Sequence, residues 1–281
     1  MKPNTALCAL GLKWNPFIQD VPIEGLVATP RINSFVYRIE SLVLDGGFAM
    51  ITGDPGLGKS VLLRILEDKL SAIRDLVVCP ITRPQSKLGD FYRELGMHFE
   101  TPIQNSNRWG GYKALRDRWL AHIEATHLRP VILVDEAQRM HSETMVELAH
   151  LASAQFDSRA ILTVIFCGDS RLQERFREAD LFPIGTRIRT RYAAEPASRE
   201  ELITLMAERL ERAGNGALMT KSLIATLADH SAGNPRVMLN TGDELFSRAV
   251  ERELTVLDEK LFLEVFGRQD QKRTTKKERT R

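Results

Sequence analysis

The eight residues Gly53-Asp54-Pro55-Gly56-Leu57-Gly58-Lys59-Ser60 have the types and spacing of a phosphate cradle. They fulfil the pattern Gly-x4-Gly-Lys-Ser, with an apolar run from Phe48 to Thr52 before it and an amphipathic run from Ser60 after it. Glycines let the main chain curl so that successive N–H groups point inward. The following helix adds its positive end, and Lys59 brings a cation to the β- and γ-phosphates. The Ser60 hydroxyl is a suitable ligand for Mg²⁺. ATP with Mg²⁺ is the expected ligand, with contacts along Gly53, Asp54, Pro55, Gly56, Leu57, Gly58, Lys59, Ser60 and Val61.

A second signal lies downstream. Pro130-Val131-Ile132-Leu133-Val134-Asp135-Glu136-Ala137-Gln138 is an apolar run that ends in two adjacent carboxylates. Burying the run as a strand puts both acids at its carboxyl edge, where an open α/β sheet holds its ligand. The expected roles differ: Asp135 orients Mg²⁺, and Glu136 takes or aligns the proton of the water that attacks the γ-phosphate.

These residues need a scaffold, and the periodicity supplies one. Short apolar runs at Phe48 to Thr52, Leu76 to Ile81, Val131 to Asp135 and Ala160 to Cys167, with a fifth at Arg187 to Tyr192, predict strands. Amphipathic stretches at Ser60 to Ile73, Gln85 to Leu95, Tyr112 to Ala125 and Glu143 to Ala152 predict helices between them. This alternation predicts an α/β class with a doubly wound parallel five-stranded sheet. After Tyr192 the pattern becomes helical: Ser198 with Glu201 forms a capping box, followed by Leu202, Leu205, Met206 and Leu210 on one face. Further helices are predicted at Thr220 to Ser231, Pro235 to Glu251 and near Asp258 to Phe266. The expected organisation is an N-terminal segment at 1–30 packing near the nucleotide, a nucleotide-binding domain at 31–195, a small helical lid at 196–267 and a basic disordered tail at 268–281.

Composition excludes several classes. With 43% apolar residues in 281, the chain can bury a core. Cys8, Cys79 and Cys167 are far apart, without a zinc spacing or a disulfide framework, so a reducing, cytoplasmic setting is expected. No run approaches the roughly 18 apolar residues of a spanning helix. The net charge is +2, but the last fourteen residues hold seven Lys/Arg against Asp270 and Glu278. A cationic end on a near-neutral body fits an arm for a polyanion.

Beyond these two motifs, the chain from about Leu12 to Ala249 resembles AAA+ ATPases of the secretion-pathway ExeA type. It also resembles the related helper ATPases of transposons, including the phage Mu B protein. The resemblance is carried by Asn15-Pro16-Phe17, the Gly53 to Ser60 loop, Val134-Asp135-Glu136-Ala137-Gln138 and Cys167-Gly168-Asp169. Arg187-Ile188-Arg189-Thr190-Arg191-Tyr192, Ser198-Arg199-Glu200-Glu201-Leu202 and Gly233-Asn234-Pro235-Arg236 extend it. It implies a P-loop AAA+ fold and an ATPase working as a homo-oligomeric ring or filament. Arg236 is implied as a sensor of the γ-phosphate, and Phe17 as an apolar surface for the adenine. Arg187, in competition with Arg189 and Arg191, is implied as an arginine finger acting in a neighbour's site. Asp169 falls at the first-sensor position, where the family more often has a neutral polar residue, and Ser170 is a substitute.

The expected task is assembly on duplex DNA and activation of a transposase. Arg83 and Lys87 after the second strand, with Arg108 and Lys113 in the segment Asn105 to Lys113, are the candidate phosphate contacts. The alternative is remodelling of a protein complex, such as secretion machinery, without DNA.

Overall fold

Thr29 and Pro30 start a helix that adds to those the periodicity predicts: α1, Pro30–Asp45. The Thr29 side chain accepts from the Ile32 N–H, proline occupies the first turn, and Phe35, Val36, Ile39, Leu42 and Val43 bury one face. In the computed structural model, which describes residues 7–101, 103, 108–155 and 158–267, α1 opens an α/β unit. That unit covers 28–195, and a second unit consists of 1–27 with 196–281. The basic tail at 268–281 lies outside the described residues.

In the α/β unit, β1 (Gly47–Gly53) leads into α2 (Lys59–Ser71), and β2 (Val78–Ile81) into α3 (Leu88–His98) and α4 (Arg108–Thr126). Then come β3 (Val131–Val134), α5 (Ser142–Leu151), β4 (Thr163–Gly168), short helices α6 (Arg171–Arg175) and α7 (Phe182–Gly185), and β5 (Ile188–Ala194). The five strands are parallel in the order β2-β3-β4-β1-β5. β3 and β4 are buried along their whole length, which explains why they read as continuous apolar runs rather than alternating ones. Met50, Ile132, Val134, Val164 and Phe166 face Leu95, Trp119 and Leu148 in the main core.

Several element boundaries differ from expectation, two of them for a visible reason. β4 starts at Thr163 rather than Ala160, because Arg159–Ala160 pair antiparallel with Ser153–Ala154 in a separate two-stranded ladder. β5 starts one residue after Arg187, and its pairing with β1 slips: Phe48 faces Ile188 and Ala49 faces Thr190, so Arg189 bulges out.

The second unit is helical. Its first helix, α8 (Arg199–Ala213), begins with the capping box: the Glu201 N–H donates to Ser198 Oγ at 3.1 Å, and the Ser198 N–H to Glu201 Oε2 at 2.7 Å. α9 (Lys221–His230) and α10 (Pro235–Glu251) follow, and residues 259–267 are also helical. Leu202, Met206, Leu210, Leu227, Leu245 and Leu261 form the core.

The N-terminal segment belongs to this second core. Phe17 is 2% exposed, and a Cβ built on Gly242 in the middle of α10 would lie 2.7 Å from its ring. Gly242→Ala would gain up to about 1 kcal/mol of helix propensity. The forced shift of a buried ring costs more, typically about 1–3 kcal/mol. The variant is therefore expected to be less stable than the parent in urea unfolding; a higher midpoint would contradict the close contact.

Candidate nucleotide-binding site

β1 occupies the position in the sheet where the strand order reverses, so the loop after it opens at a crevice between helices on either side. Within that loop Gly56 and Gly58 have φ of 91° and 86°, a left-handed conformation that glycine adopts without strain. A Cβ on Gly58 would meet nothing within 4 Å, so the curl encloses open space. Leu62 N–H donates to Gly58 C=O at 3.0 Å, and the preceding N–H groups of Lys59 to Val61 come before the helical ladder. They can serve an anion. Lys59, 9% exposed, folds back over the loop and donates from Nζ to Gly53 O at 2.8 Å and Asp54 O at 3.0 Å.

Parallel pairing brings the ends of β3 and β4 alongside. Cys167, buried in β4, reports the neighbourhood. Burial pushes its thiol far above the ordinary value, and the Asp135 carboxylate, which also accepts a hydrogen bond from it, raises it further. Lys59 opposes that shift, and Glu136 adds weakly to it. Lys59, Asp135 and Glu136 thus share one electrostatic site with a thiol that the sequence marked only as part of the Cys167-Gly168-Asp169 motif. Asp135 Oδ1 accepts from the Glu136 N–H at 2.8 Å, and Glu136 itself has a left-handed φ of 51°, a strained conformation for a side chain of this kind.

Asp169, just past β4, also feels Lys59. Its carboxylate accepts from Arg171 Nε at 2.9 Å and from the Arg171 N–H at 3.0 Å. Arg171 holds the carboxyl below the usual range, against the opposing effect of burial. Ser170 is exposed beside it. The residue types around the loop fit a triphosphate and a hard divalent cation: backbone donors and one ammonium for phosphate, with a hydroxyl at Ser60 and a carboxylate at Asp135 for the metal.

The remaining predicted residues lie elsewhere. Arg187 is half-buried ahead of β5, while Arg189 and Arg191 are exposed on the edge strand, Arg191 donating to Gly185 O at 3.0 Å. Arg236 and Phe17 belong to the helical unit. Arg236 is exposed in the first turn of α10, where its N–H donates to the Asn234 cap at 3.0 Å. Phe17 is a core aromatic: Asn15 ties the segment to Asp243 at 2.8 Å, and the buried Arg209 donates to Pro16 O at 2.8 Å. Arg83, Lys87 and Lys113 are exposed. The side chain of Arg108 and residues Asn105 to Asn107 lie outside the described residues. Trp109, 74% exposed, stacks on Tyr112, and the groove beside them is also lined by Glu143, Glu147 and Asp180.

Strand order, phosphate loop and paired acids define the α/β P-loop fold of the AAA+ class. Residues 43–176 match the family described as AAA domain. The General secretion pathway protein A of Aeromonas hydrophila is 30% identical over 234 residues, which cover 81% of this chain and 42% of that protein. The chain therefore spans less than half the length of that relative. An uncharacterized HTH-type transcriptional regulator of Methanocaldococcus jannaschii is 24% identical over 307 residues, covering 91% of this chain and 72% of the relative. Among solved structures, the ORC2 protein of Aeropyrum pernix in its ADP form has a TM-score of 0.69 at 17% identity, covering 89% of this chain and 71% of that one. The Drosophila ORC bound to DNA gives 0.67 at 17% identity, covering 93% and 65%. The RuvB Holliday junction branch migration motor of Thermotoga maritima gives 0.58 at 12% identity, covering 87% and 67%. At these identities the structures share the fold. Among the described residues, no helix is long and apolar enough to cross a membrane.

The Asp169–Arg171 pair has a signed consequence. A carboxyl held low in the folded state contributes stability that is complete above its unfolded pKa and is lost as pH falls through the folded one. In urea titrations between about pH 7 and pH 3, the stability lead of the parent over Asp169→Asn should shrink with acidification. A lead that stayed constant to the lowest pH would contradict the pairing.

Proposed function

We propose that the chain is an ATPase that binds ATP with Mg²⁺ in the Gly53 to Ser60 loop and hydrolyses it to ADP and phosphate. The observation that carries the reading is the convergence of Lys59, Asp135 and Glu136 at the carboxyl ends of β1 and β3. Lys59 and the loop N–H groups bind the phosphates, and Ser60 and Asp135 would hold the metal. Mg²⁺, when bound, offsets charge on the phosphate oxygens. Glu136 accepts the proton of the attacking water. Asp169, already engaged by Arg171, contributes to the field of the site, with Ser170 next to it for contact with water. Arg236 senses the γ-phosphate, and Arg187 or Arg191 acts across a contact between copies, so turnover requires a ring or filament.

For the task of the ATPase, the leading reading is assembly on duplex DNA as a regulator that selects targets for, or activates, a transposase. It is supported by the exposed cations Arg83, Lys87 and Lys113, with Arg108 as a further candidate. A secretion-type ATPase that remodels a protein complex is the second reading. The similarity to General secretion pathway protein A favours it, as do the carboxylates beside Trp109, which repel phosphate. Either task is compatible with a cytoplasmic setting.

Three measurements test the proposal. Lys59→Ala should lose ATP binding in calorimetry, whereas Glu136→Gln should keep it and lose turnover by about a hundredfold or more. Normal hydrolysis by Glu136→Gln would remove it from the role of base. Duplex DNA should shift in mobility with ATP, less so as salt rises and in the Arg83→Glu/Lys87→Glu variant. Unaltered mobility in every nucleotide state would leave the protein-remodelling reading.

A further inference from the structure

Gln138, two residues beyond the proposed base, is half-buried and makes contacts that no phosphate or metal requires. Its backbone is fixed first: the Arg175 guanidinium donates to Gln138 O at 2.9 Å, to Met140 O at 2.6 Å and to Ser142 Oγ at 2.9 Å, which clamps the turn from Ala137 to Ser142. The side chain is fixed next. Oε1 of Gln138 accepts the Asp169 N–H at 3.3 Å, in the loop after β4. With the oxygen committed there, the amide nitrogen must face the other way, and it donates to Glu136 Oε2 at 2.9 Å. The approach is close: a Cβ on Gly168 would stand 2.5 Å from Gln138 Oε1, so a side chain there would displace the amide. Arg139 Nε also approaches Glu136 Oε2, at 3.3 Å. Both of these contacts fall on the same oxygen, Oε2.

We propose that Gln138 is a positioning residue for hydrolysis: its amide ties Glu136 Oε2 to the loop of Asp169, so that Oε1 is presented to the attacking water. The proposal rests on the ATPase reading above and deepens it. A carboxylate on an exposed, left-handed residue has several rotamers, and general-base efficiency depends on holding one of them within hydrogen-bond reach of its proton. Gln138 removes that freedom without touching the substrate. It also makes the base sensitive to the loop after β4: a shift of Asp169 N–H turns the Gln138 amide, and the amide turns the carboxylate.

Steady-state kinetics on the full chain test it. Gln138→Ala should lower kcat by about tenfold or more, while KM and the Kd for a non-hydrolysable ATP analogue stay within about twofold. Gln138→Glu keeps the volume but replaces the donor with an acceptor facing Glu136, and should be impaired at least as much. If Gln138 only filled space, that isosteric variant would match the parent. Gly168→Ala pushes the amide aside from the other end. It should reproduce the kcat loss, and the Gln138→Ala/Gly168→Ala double variant should be no slower than Gln138→Ala alone. Full or raised kcat in Gln138→Ala, parental kcat in Gln138→Glu, or multiplicative losses in the double variant would each overturn the proposal. If the parent chain itself hydrolyses no ATP, the ATPase reading fails separately. The same double-variant cycle read on melting temperature then judges the clasp, and additive shifts there would overturn it.

Discussion

The nearly buried ammonium of Lys59 is the charge around which the rest of the site is organised. Two carbonyls of the loop hold it in place at hydrogen-bond distance, Asp169 feels its charge, and Cys167 feels it together with Asp135 and Glu136. The two carbonyl oxygens replace hydrogen bonds to the water that the ammonium has lost. In the proposed ATPase it exchanges those carbonyls for phosphate oxygens. The curled glycines, the helix that starts at Lys59 and the short distance between strand ends all serve this one cation and the anion it awaits.

Gathering these groups is a consequence of parallel pairing. Every strand of the sheet ends at the same edge, so loops that are about 80 and 115 residues apart in the chain meet there, as the spacing from Gly53 to Asp135 and Asp169 requires. The burial of β3 and β4 on both faces fixes the register, and register fixes which side chains reach the edge. Cys167 enters the site by this route alone. Gln138 does so as well, since the loop after β4 reaches it only when β3 and β4 lie side by side.

The helical unit has its own logic. Asn15, Pro16 and Phe17 are drawn into its core by Asp243, Arg209 and Gly242, so a motif expected to face adenine is anchored by its aromatic ring to helix α10. A ring in that place sets the position of the segment rather than offering its face to solvent. The groove next to Trp109 shows a similar contrast between residue type and surroundings. Aromatics and cations in one short segment suggest a track for phosphates, yet three carboxylates line the same groove. Charge at a surface is a sum over neighbours, and those neighbours come from helices distant in sequence.

What the chain stated locally was legible in it. The phosphate loop, the acids after an apolar run and the capping box at Ser198 depend on residues within ten positions of each other, and local rules of sterics and hydrogen bonding govern them. Helix α1 is not among the elements the βα alternation predicts, although Thr29-Pro30 and the spacing of Phe35, Val36, Ile39 and Leu42 are a local signal for it. Tertiary structure alone decided the strand order, the bulge at Arg189, the burial of Phe17 and the tie between the Asp169 N–H and Gln138. Each of these depends on which distant segments become neighbours, and periodicity along a chain carries hydrophobicity and local geometry but not the identity of the partner across the gap.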